Sequence, residues 1–264
     1  GINTSLPLQP EGDENELLIL KQDMNRLIGV NPPEFSAFGF GDLDIYLRAG
    51  DRFDYLLKMR SIDVGGRIGV IAPTSGKTDI NNPASVPFGG QGFWGVYGAL
   101  DGEFELKRDM KVGALLRLNK RFTKTMQSRF PVLLEPTNYG INVGPLKIDP
   151  GFTFIIAPYF RLDGLREGLG LMLGYTFVKH QKDDITDVRC DKSVNAALAC
   201  VYKRSSWVME HVTLEFRYDF GRFKESRGLS PIVSFAWDIP TNFFVTPKRT
   251  PRTNFVSLLI ESCF

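Results

Sequence analysis

Apolar and polar residues alternate along much of this chain, a pattern typical of β-strands whose two faces meet different surroundings. The clearest example runs from Val212 to Phe220, where every second residue is apolar and the residues between them are charged or polar. Successive side chains of a strand point to opposite faces of its sheet. The segment therefore predicts a strand with one apolar face and one charged face.

Eight further segments share this alternation, which makes nine predicted strands in all. They lie at 41–50, 62–70, 94–107, 112–122, 152–162, 169–180, 229–239 and 256–264. The links between them alternate in length. Short links lie at 51–54, 108–110, 163–167 and 221–227, and long links at 73–90, 126–147, 181–206 and 240–252. Short and long links on opposite sides are typical of antiparallel transmembrane barrels, with short periplasmic turns and long external loops.

Strand number bears on the N-terminal region, because single-chain bacterial barrels have an even number of strands. The best candidate for a tenth strand is Glu16–Met24. A helix over Leu17–Ile28 is the alternative, because the apolar residues there also recur at helical spacing. We therefore expect an N-terminal segment at 1–39, containing a first strand or a short helix that plugs the barrel, and a barrel at 40–264.

The composition of the polar faces favours a water-filled interior over a soluble protein's outer surface. These faces combine glycine with charges of both signs, which suits a crowded lumen where neighbouring strands pair their charges. The residues expected to form a lumen constriction or plug are Arg67, Asp101, Glu103, Glu105, Arg117, Arg161, Glu215 and Arg217.

Aromatic residues lie toward the ends of the apolar faces, where a membrane-spanning strand would meet lipid headgroups. The expected interface aromatics are Trp94, Phe122, Phe160, Tyr218, Trp237 and Phe264. Each apolar face is about ten residues long, which matches a hydrocarbon band roughly 25 Å tall crossed by tilted strands.

The last segment ends on Phe264 and has Val256, Leu258 and Ile260 at alternate positions before it, with Ser262 in place of the usual apolar residue. It resembles the C-terminal strand signature of the bacterial outer-membrane β-barrel superfamily. The resemblance covers about residues 40–264 and identifies no subfamily. It implies a closed antiparallel barrel of about ten strands in the outer membrane, with lipid and the barrel-assembly machinery as partners.

Composition and charge narrow the remaining classes. Mean hydropathy is −0.11 and no run of apolar residues is long enough for a spanning helix, so a helical membrane protein is excluded. The net charge of +2 gives no reason to expect nucleic acid as a partner. Cys190 and Cys200 flank a polar segment and form a possible loop disulfide. No motif predicts a metal site, a cofactor or an enzyme.

The function expected from these features is structural or porin-like, with passage of small solutes through a narrow charged lumen and long loops available for contact with other envelope proteins. Two alternatives remain open. An outer-membrane hydrolase of omptin-like type would depend on His180 or His211. A soluble barrel that binds a lipophilic ligand would instead place Phe154, Phe216 and Phe235 inside.

Overall fold

The computed structural model describes most of the chain between residues 40 and 263 and part of the N-terminal segment. The described residues are 19, 22–23, 25–27, 29–31, 40–54, 59–82, 85, 89–132, 140, 142–166, 168–198, 205–221, 230–244 and 254–263.

The described residues include twelve β-strands. In chain order they are β1 (Leu43–Asp54), β2 (Ser61–Ala72), β3 (Gly95–Lys107), β4 (Met110–Arg121), β5 (Lys124–Phe130), β6 (Asn142–Asp149), β7 (Thr153–Arg166), β8 (Leu169–His180), β9 (Asp184–Asp187), β10 (Trp207–Asp219), β11 (Ser230–Thr241) and β12 (Phe255–Cys263).

Nine of these strands form one antiparallel sheet, called here the main sheet, in the order β1-β2-β3-β4-β7-β8-β10-β11-β12. They are the nine segments that the alternation predicts, so the expectation of an all-β antiparallel fold is confirmed. The strand ends that short links join lie at one end of the strands, called here the turn side, and those that long links join lie at the opposite end, the loop side. The register keeps every alternating set on one face; for example, Arg48 faces Arg67 and Leu47 faces Ile68.

The expected closed barrel of about ten strands is wrong. Within the described residues β1 and β12 are the two edges of an open main sheet and do not pair with each other. Strand number supplies a physical reason: the first and last of nine antiparallel strands run in the same direction, so they cannot form an antiparallel pair. The proposed tenth strand at 16–24 does not supply the missing partner, because Ile19, Gln22 and Asp23 are helical.

A second, three-stranded antiparallel sheet in the order β5-β6-β9 is called here the loop sheet. The alternation does not predict this sheet, because it indicates long loops at 126–147 and 181–206. Its interior contains Phe130 and Leu146, each with 1% of its surface exposed, and the guanidinium of Arg189 lies 4.2 Å from the centre of the Phe130 ring. The two long links thus fold against each other.

The main sheet curls so that its charged face is concave. Adjacent strands lie about 4.8 Å apart, which separates β1 from β4 by roughly 14 Å in a flat sheet. Side chains project away from the sheet plane rather than along it, yet Nη2 of Arg117 in β4 lies 3.2 Å from Oδ2 of Asp44 in β1. The small buried cluster of Ile71, Tyr97 and Ala99 also lies on the concave face.

The opposite, convex face is apolar and open. Leu47 is 84% exposed, Ile68 76% and Leu100 64%. No helix among the described residues is both long and apolar enough to span a membrane.

Candidate functional site

The concave face carries a charged groove that runs from the turn side of the main sheet to the loop side. Asp101 of β3 lies at its centre and pairs with two arginines. Nη2 of Arg48 donates to one carboxylate oxygen at 2.6 Å, and Nε of Arg67 donates to the other at 3.1 Å. Two of the predicted lumen residues, Arg67 and Asp101, therefore form an ion pair, and Arg48 of the edge strand joins them.

A second cluster is centred on Glu103, two residues along the same strand. Its carboxylate accepts hydrogen bonds from Nζ of Lys111 at 2.8 Å and from the hydroxyl of Tyr159 at 2.7 Å. Arg161 approaches the same carboxylate at 3.5 Å. Three strands thus meet at one carboxylate, which holds β3, β4 and β7 together across the groove.

Arg117 forms a third cluster nearer the loop side. Its guanidinium carbon lies 3.6 Å from the centre of the Tyr97 ring, an arrangement that favours a cation–π interaction. Its Nε donates to Oδ1 of Asn119 at 2.8 Å, while its Nη2 reaches Asp44. The side chain therefore lies across the groove and joins its two walls.

Two tyrosines in these clusters are positioned by glycines on the neighbouring strand. A Cβ added to Gly69 would lie 2.4 Å from the Tyr97 ring, and one added to Gly113 would lie 2.3 Å from the Tyr159 ring. Each ring therefore lies flat against the bare backbone of the next strand. Any larger residue at these positions would displace the ring. The two glycines therefore help to position Tyr97 against Arg117 and Tyr159 against Glu103.

Three cavities lie in series along the groove. The turn-side cavity, about 360 Å³, is lined by Lys111, Arg161 and Arg217. The central cavity, about 450 Å³, is lined by Arg48, Asp101 and other residues of β1, β2, β3, β4 and β7. The loop-side cavity, about 740 Å³, is lined on one wall by the main sheet and on another by Ile148 and Ile185 of the loop sheet. Glu103 and Tyr159 line the central cavity, and their partners Lys111 and Arg161 line the turn-side one. Arg117 lies in β4 between Leu115, which lines the central cavity, and Asn119, which lines the loop-side one.

The rim of the loop-side cavity is fixed by Asp42, just before β1. This carboxylate accepts hydrogen bonds from the Ser75 hydroxyl and the Gly90 N–H, each at 2.6 Å, and lies 3.6 Å from Nη2 of Arg121. Burial acts to raise the pKa of Asp42, but these hydrogen bonds and the nearby cation outweigh it and lower that pKa. Asp42 therefore stays ionised and ties two loop segments to the start of the sheet.

A histidine cluster lies in the same cavity. Nδ1 of His180 is 2.7 Å from the hydroxyl of Thr153, and its Nε2 is 2.9 Å from Oδ1 of Asp183. The Trp207 ring stacks on the imidazole, with ring centres 5.5 Å apart. The cluster links the start of β7, the end of β8 and the start of β10.

His211, the other histidine considered for a hydrolase, faces the groove, opposite Thr176 and Pro240. Its neighbour Glu210 points to the convex face. Glu210 is 1% exposed, and its Oε2 accepts a hydrogen bond from the Phe244 N–H at 3.2 Å. The two side chains therefore lie on opposite faces and cannot act on one substrate.

The remaining predicted lumen residues lie on the concave face but outside the three clusters. Glu105 contacts the Ser61 hydroxyl at 3.1 Å and Arg60 at 3.4 Å near the turn side. Arg217 lies 3.9 Å from Glu261 of β12. Glu215 has no hydrogen bond or ion pair with any residue that the structure describes. The predicted constriction is therefore divided among separate groups.

Several groove residues were absent from the predicted site although the alternation places them on its face. Asp44 and Arg48 belong to the polar face of the first strand, and Tyr97 and Tyr159 to the polar faces of later strands. Following the face along every strand, rather than its opposite charges alone, was the signal that would have found them.

The predicted interface aromatics lie at different heights of the main sheet. Trp94 and Phe122 are adjacent on the loop side, where the Phe122 N–H donates to the Trp94 carbonyl at 2.8 Å. Tyr218 lies near the turn side, and Phe160 and Trp237 lie within the apolar face. Phe264 is outside the described residues. So is Cys200, and with it the possible disulfide to Cys190, which is exposed.

The metal-ligating residue types of the described chain do not cluster on the groove. The part of the chain that the structure describes contains no group of three or more histidine, cysteine, aspartate and glutamate side chains arranged to hold a metal ion. The carboxylates of Asp44, Asp101 and Glu103 are instead engaged by arginine, lysine and tyrosine.

Asp187 in the loop sheet is held as a carboxylate by Arg189. The side-chain and backbone N–H groups of Arg189 donate to it, at 2.7 to 3.0 Å, and lower its pKa to about 2. A lowered folded-state pKa stabilises the fold at pH values above the ordinary pKa and loses this effect as pH falls toward 2. We expect Arg189→Gln to raise the pKa of Asp187 toward its ordinary value of 3.8, measured by ¹³C NMR titration of the carboxyl.

Lys182→Gln, a nearby charge removal in the same long link, is the control and should leave the Asp187 titration in place. If Asp187 titrates at the same pH in Arg189→Gln as in the unaltered protein, the arginine is not the cause of its low pKa.

Comparison with known proteins gave no further guide to the groove: no family model and no curated protein matches this chain.

Proposed function

We propose that the protein is an integral protein of the bacterial outer membrane, with the convex face of its main sheet against lipid and its charged groove forming a narrow path for small solutes. The observation that carries this is the opposition of the two faces. One face is apolar and exposed, and the other is polar and contains three cavities in series.

The convex face supports contact with lipid. Proteins in water rarely expose a contiguous apolar patch larger than a few hundred Å². Here exposed aliphatic and aromatic side chains continue from β1 to β12, as illustrated by Leu47, Leu116, Phe216 and Leu258. Phe154, Phe216 and Phe235 belong to this same exposed face, which favours a lipid environment over a soluble protein that binds its ligand with these rings.

The groove supports passage of solutes rather than a wide aqueous pore. Its charges are paired between strands of the main sheet, and Arg117 and Glu103 lie at the levels where one cavity gives way to the next. Rings of paired charged side chains select small ions and polar solutes in channels. The path therefore has charged side chains at its turn-side and central levels and two places where side chains narrow it.

The open edges support a complex with other envelope proteins. Within a membrane every backbone N–H and C=O group must be satisfied, because lipid offers no hydrogen bonds. The outer edges of β1 and β12 have no strand partner among the described residues. A protein neighbour at each edge satisfies this requirement, and the barrel-assembly machinery is the partner expected for β12 during insertion.

Conductance of the purified protein in planar bilayers tests the path. We expect a small conductance that rises by about twofold or more in Arg117→Ala, because this removes a side chain at the level where the central cavity gives way to the loop-side one. Arg52→Ala is the matched control: Arg52 lies in β1 near the turn side, is 61% exposed and pairs with Asp54. It should conduct like the unaltered protein.

Absence of conductance in the unaltered protein, in Arg117→Ala and in Arg217→Ala would contradict solute passage. If the same samples still insert into vesicles, the protein has a structural role in the membrane and no conducting one.

A further inference from the structure

We propose that the loop-side cavity binds a small organic carboxylate with an aromatic or alkyl body. The inference rests on the proposed function, since it names the solute class that the entrance of the path would recognise. Some polar groups of this cavity are hydrogen-bonded to each other, and others remain available to a ligand.

Asp183 and His180 belong to one hydrogen-bonded network in the wall of the cavity. Oδ1 of Asp183 lies 2.9 Å from Nε2 of His180 and accepts a hydrogen bond from the Gly151 N–H at 2.8 Å. The second ring nitrogen of His180 lies 2.7 Å from the Thr153 hydroxyl. Both donors contact Oδ1 of Asp183, so the network holds the wall of the cavity together and offsets part of the negative charge of this carboxylate.

The donor groups, in contrast, remain available. Arg121 has one ion pair among the described residues, at 3.6 Å to Asp42, and that carboxylate already accepts hydrogen bonds from Ser75 and Gly90. The indole N–H of Trp207 has no hydrogen-bond acceptor within the described part of the chain. The Asn119 side chain uses its oxygen to accept from Arg117, which leaves its NH₂ group as a further donor.

Unpaired donors around a cavity favour a ligand that supplies acceptors, and a guanidinium favours one that also carries negative charge. A carboxylate meets both conditions, with two oxygens that bind the fork of an arginine. Arg121 is the only cation that we assign to this role, and Asp42 offsets part of its charge. A single carboxylate therefore fits better than a multiply charged phosphate.

The body of the ligand is indicated by the apolar wall. At the loop side, positions that face the groove are occupied by Ile155, Val178 and Met209 instead of charged residues, and the Trp207 ring lies beside them. The volume of about 740 Å³ is within the range of small-molecule sites. An aromatic or alkyl group would contact this wall while its carboxylate meets Arg121.

Benzoate is the probe for a binding test on the full-length, detergent-solubilised protein. Quenching of tryptophan fluorescence and isothermal titration calorimetry report its binding, and benzyl alcohol serves as the uncharged analogue. We expect saturable binding of benzoate, weaker binding of benzyl alcohol, and a loss of about tenfold in benzoate affinity in Arg121→Gln, because a charge-assisted hydrogen bond is removed. Arg108→Gln, on a turn-side side chain that is 83% exposed, should bind benzoate like the unaltered protein.

Trp207→Phe removes the fluorescence change if this indole is the reporter, and calorimetry then measures binding without it. Equal affinity in Arg121→Gln and the unaltered protein, or equal affinity for benzoate and benzyl alcohol, would overturn the carboxylate assignment. An absence of saturable binding would overturn the site. Both results leave conductance untouched, so a failure here is distinguishable from a failure of the proposed path.

Discussion

Leu100→Arg is expected to prevent stable insertion of the main sheet into a bilayer. Leu100 lies at the middle of β3 on the convex face and is 64% exposed. An arginine on the lipid face of a membrane β-sheet costs about 2–4 kcal/mol at the centre of the bilayer and about 0–1 kcal/mol near its surface. The free energy of unfolding from phospholipid vesicles, measured by denaturant titration, should fall by an amount in the first range.

Leu106→Arg is the matched control for depth. Leu106 is 37% exposed and lies in the same strand, but next to the turn between β3 and β4, where the register with β4 shifts. It should lower the free energy of unfolding by no more than the second range. A soluble protein behaves differently, because an arginine at an exposed position changes its stability little. Equal stability of the two variants, together with solubility in the absence of detergent, would therefore contradict the membrane assignment.

Glu103→Ala is expected to have the largest effect of any substitution in the groove. It removes the carboxylate shared by Lys111, Tyr159 and Arg161, and leaves two cations close together. Breaking a fully buried ion pair costs about 3–5 kcal/mol. The side chains here are about a quarter exposed, so we expect a loss of about 2 kcal/mol in the free energy of unfolding and a shift of conductance toward anions.

Glu103→Gln separates charge from hydrogen bonding, since its side-chain oxygen still accepts from the Tyr159 hydroxyl. It should retain more stability than Glu103→Ala while showing the same shift toward anions. Asp54→Ala removes a carboxylate from a pair in which both side chains are 61% exposed, and should change neither property. If Glu103→Ala is as stable as the unaltered protein, the carboxylate does not hold the three strands together.

The loop sheet shows where sequence patterns lose their predictive value. The pattern predicts a loop at 126–147, because the apolar and polar residues there do not alternate over a long run. Its strands are short, and β9 consists of four residues that pair with β6 across some 35 intervening residues. Such a pairing depends on two long links meeting in space, which no local pattern encodes.

The groove was predicted in part. The alternation correctly placed Arg67, Asp101, Glu103, Arg117 and Arg161 on one face. Which charges meet depends on register and on the curl of the sheet, so the pairing of Arg117 with Asp44 across two intervening strands was not predictable. For the same reason the sequence predicts Glu105 and Glu215 in a constriction, whereas in the structure neither contacts the clusters around Asp101, Glu103 and Arg117.

By itself, the sequence determined the nine alternating strands, their antiparallel order and the side of the sheet on which the long links lie. These follow from local physics, because a period of two residues sorts side chains onto two faces and short links force neighbouring strands to run in opposite directions. Only the tertiary structure decided that the main sheet is open, that its charged face is concave and that a second sheet covers the loop-side cavity. Those features depend on contacts between strands far apart in the chain, where backbone pairing and side-chain contact, rather than the alternation within a strand, set the geometry.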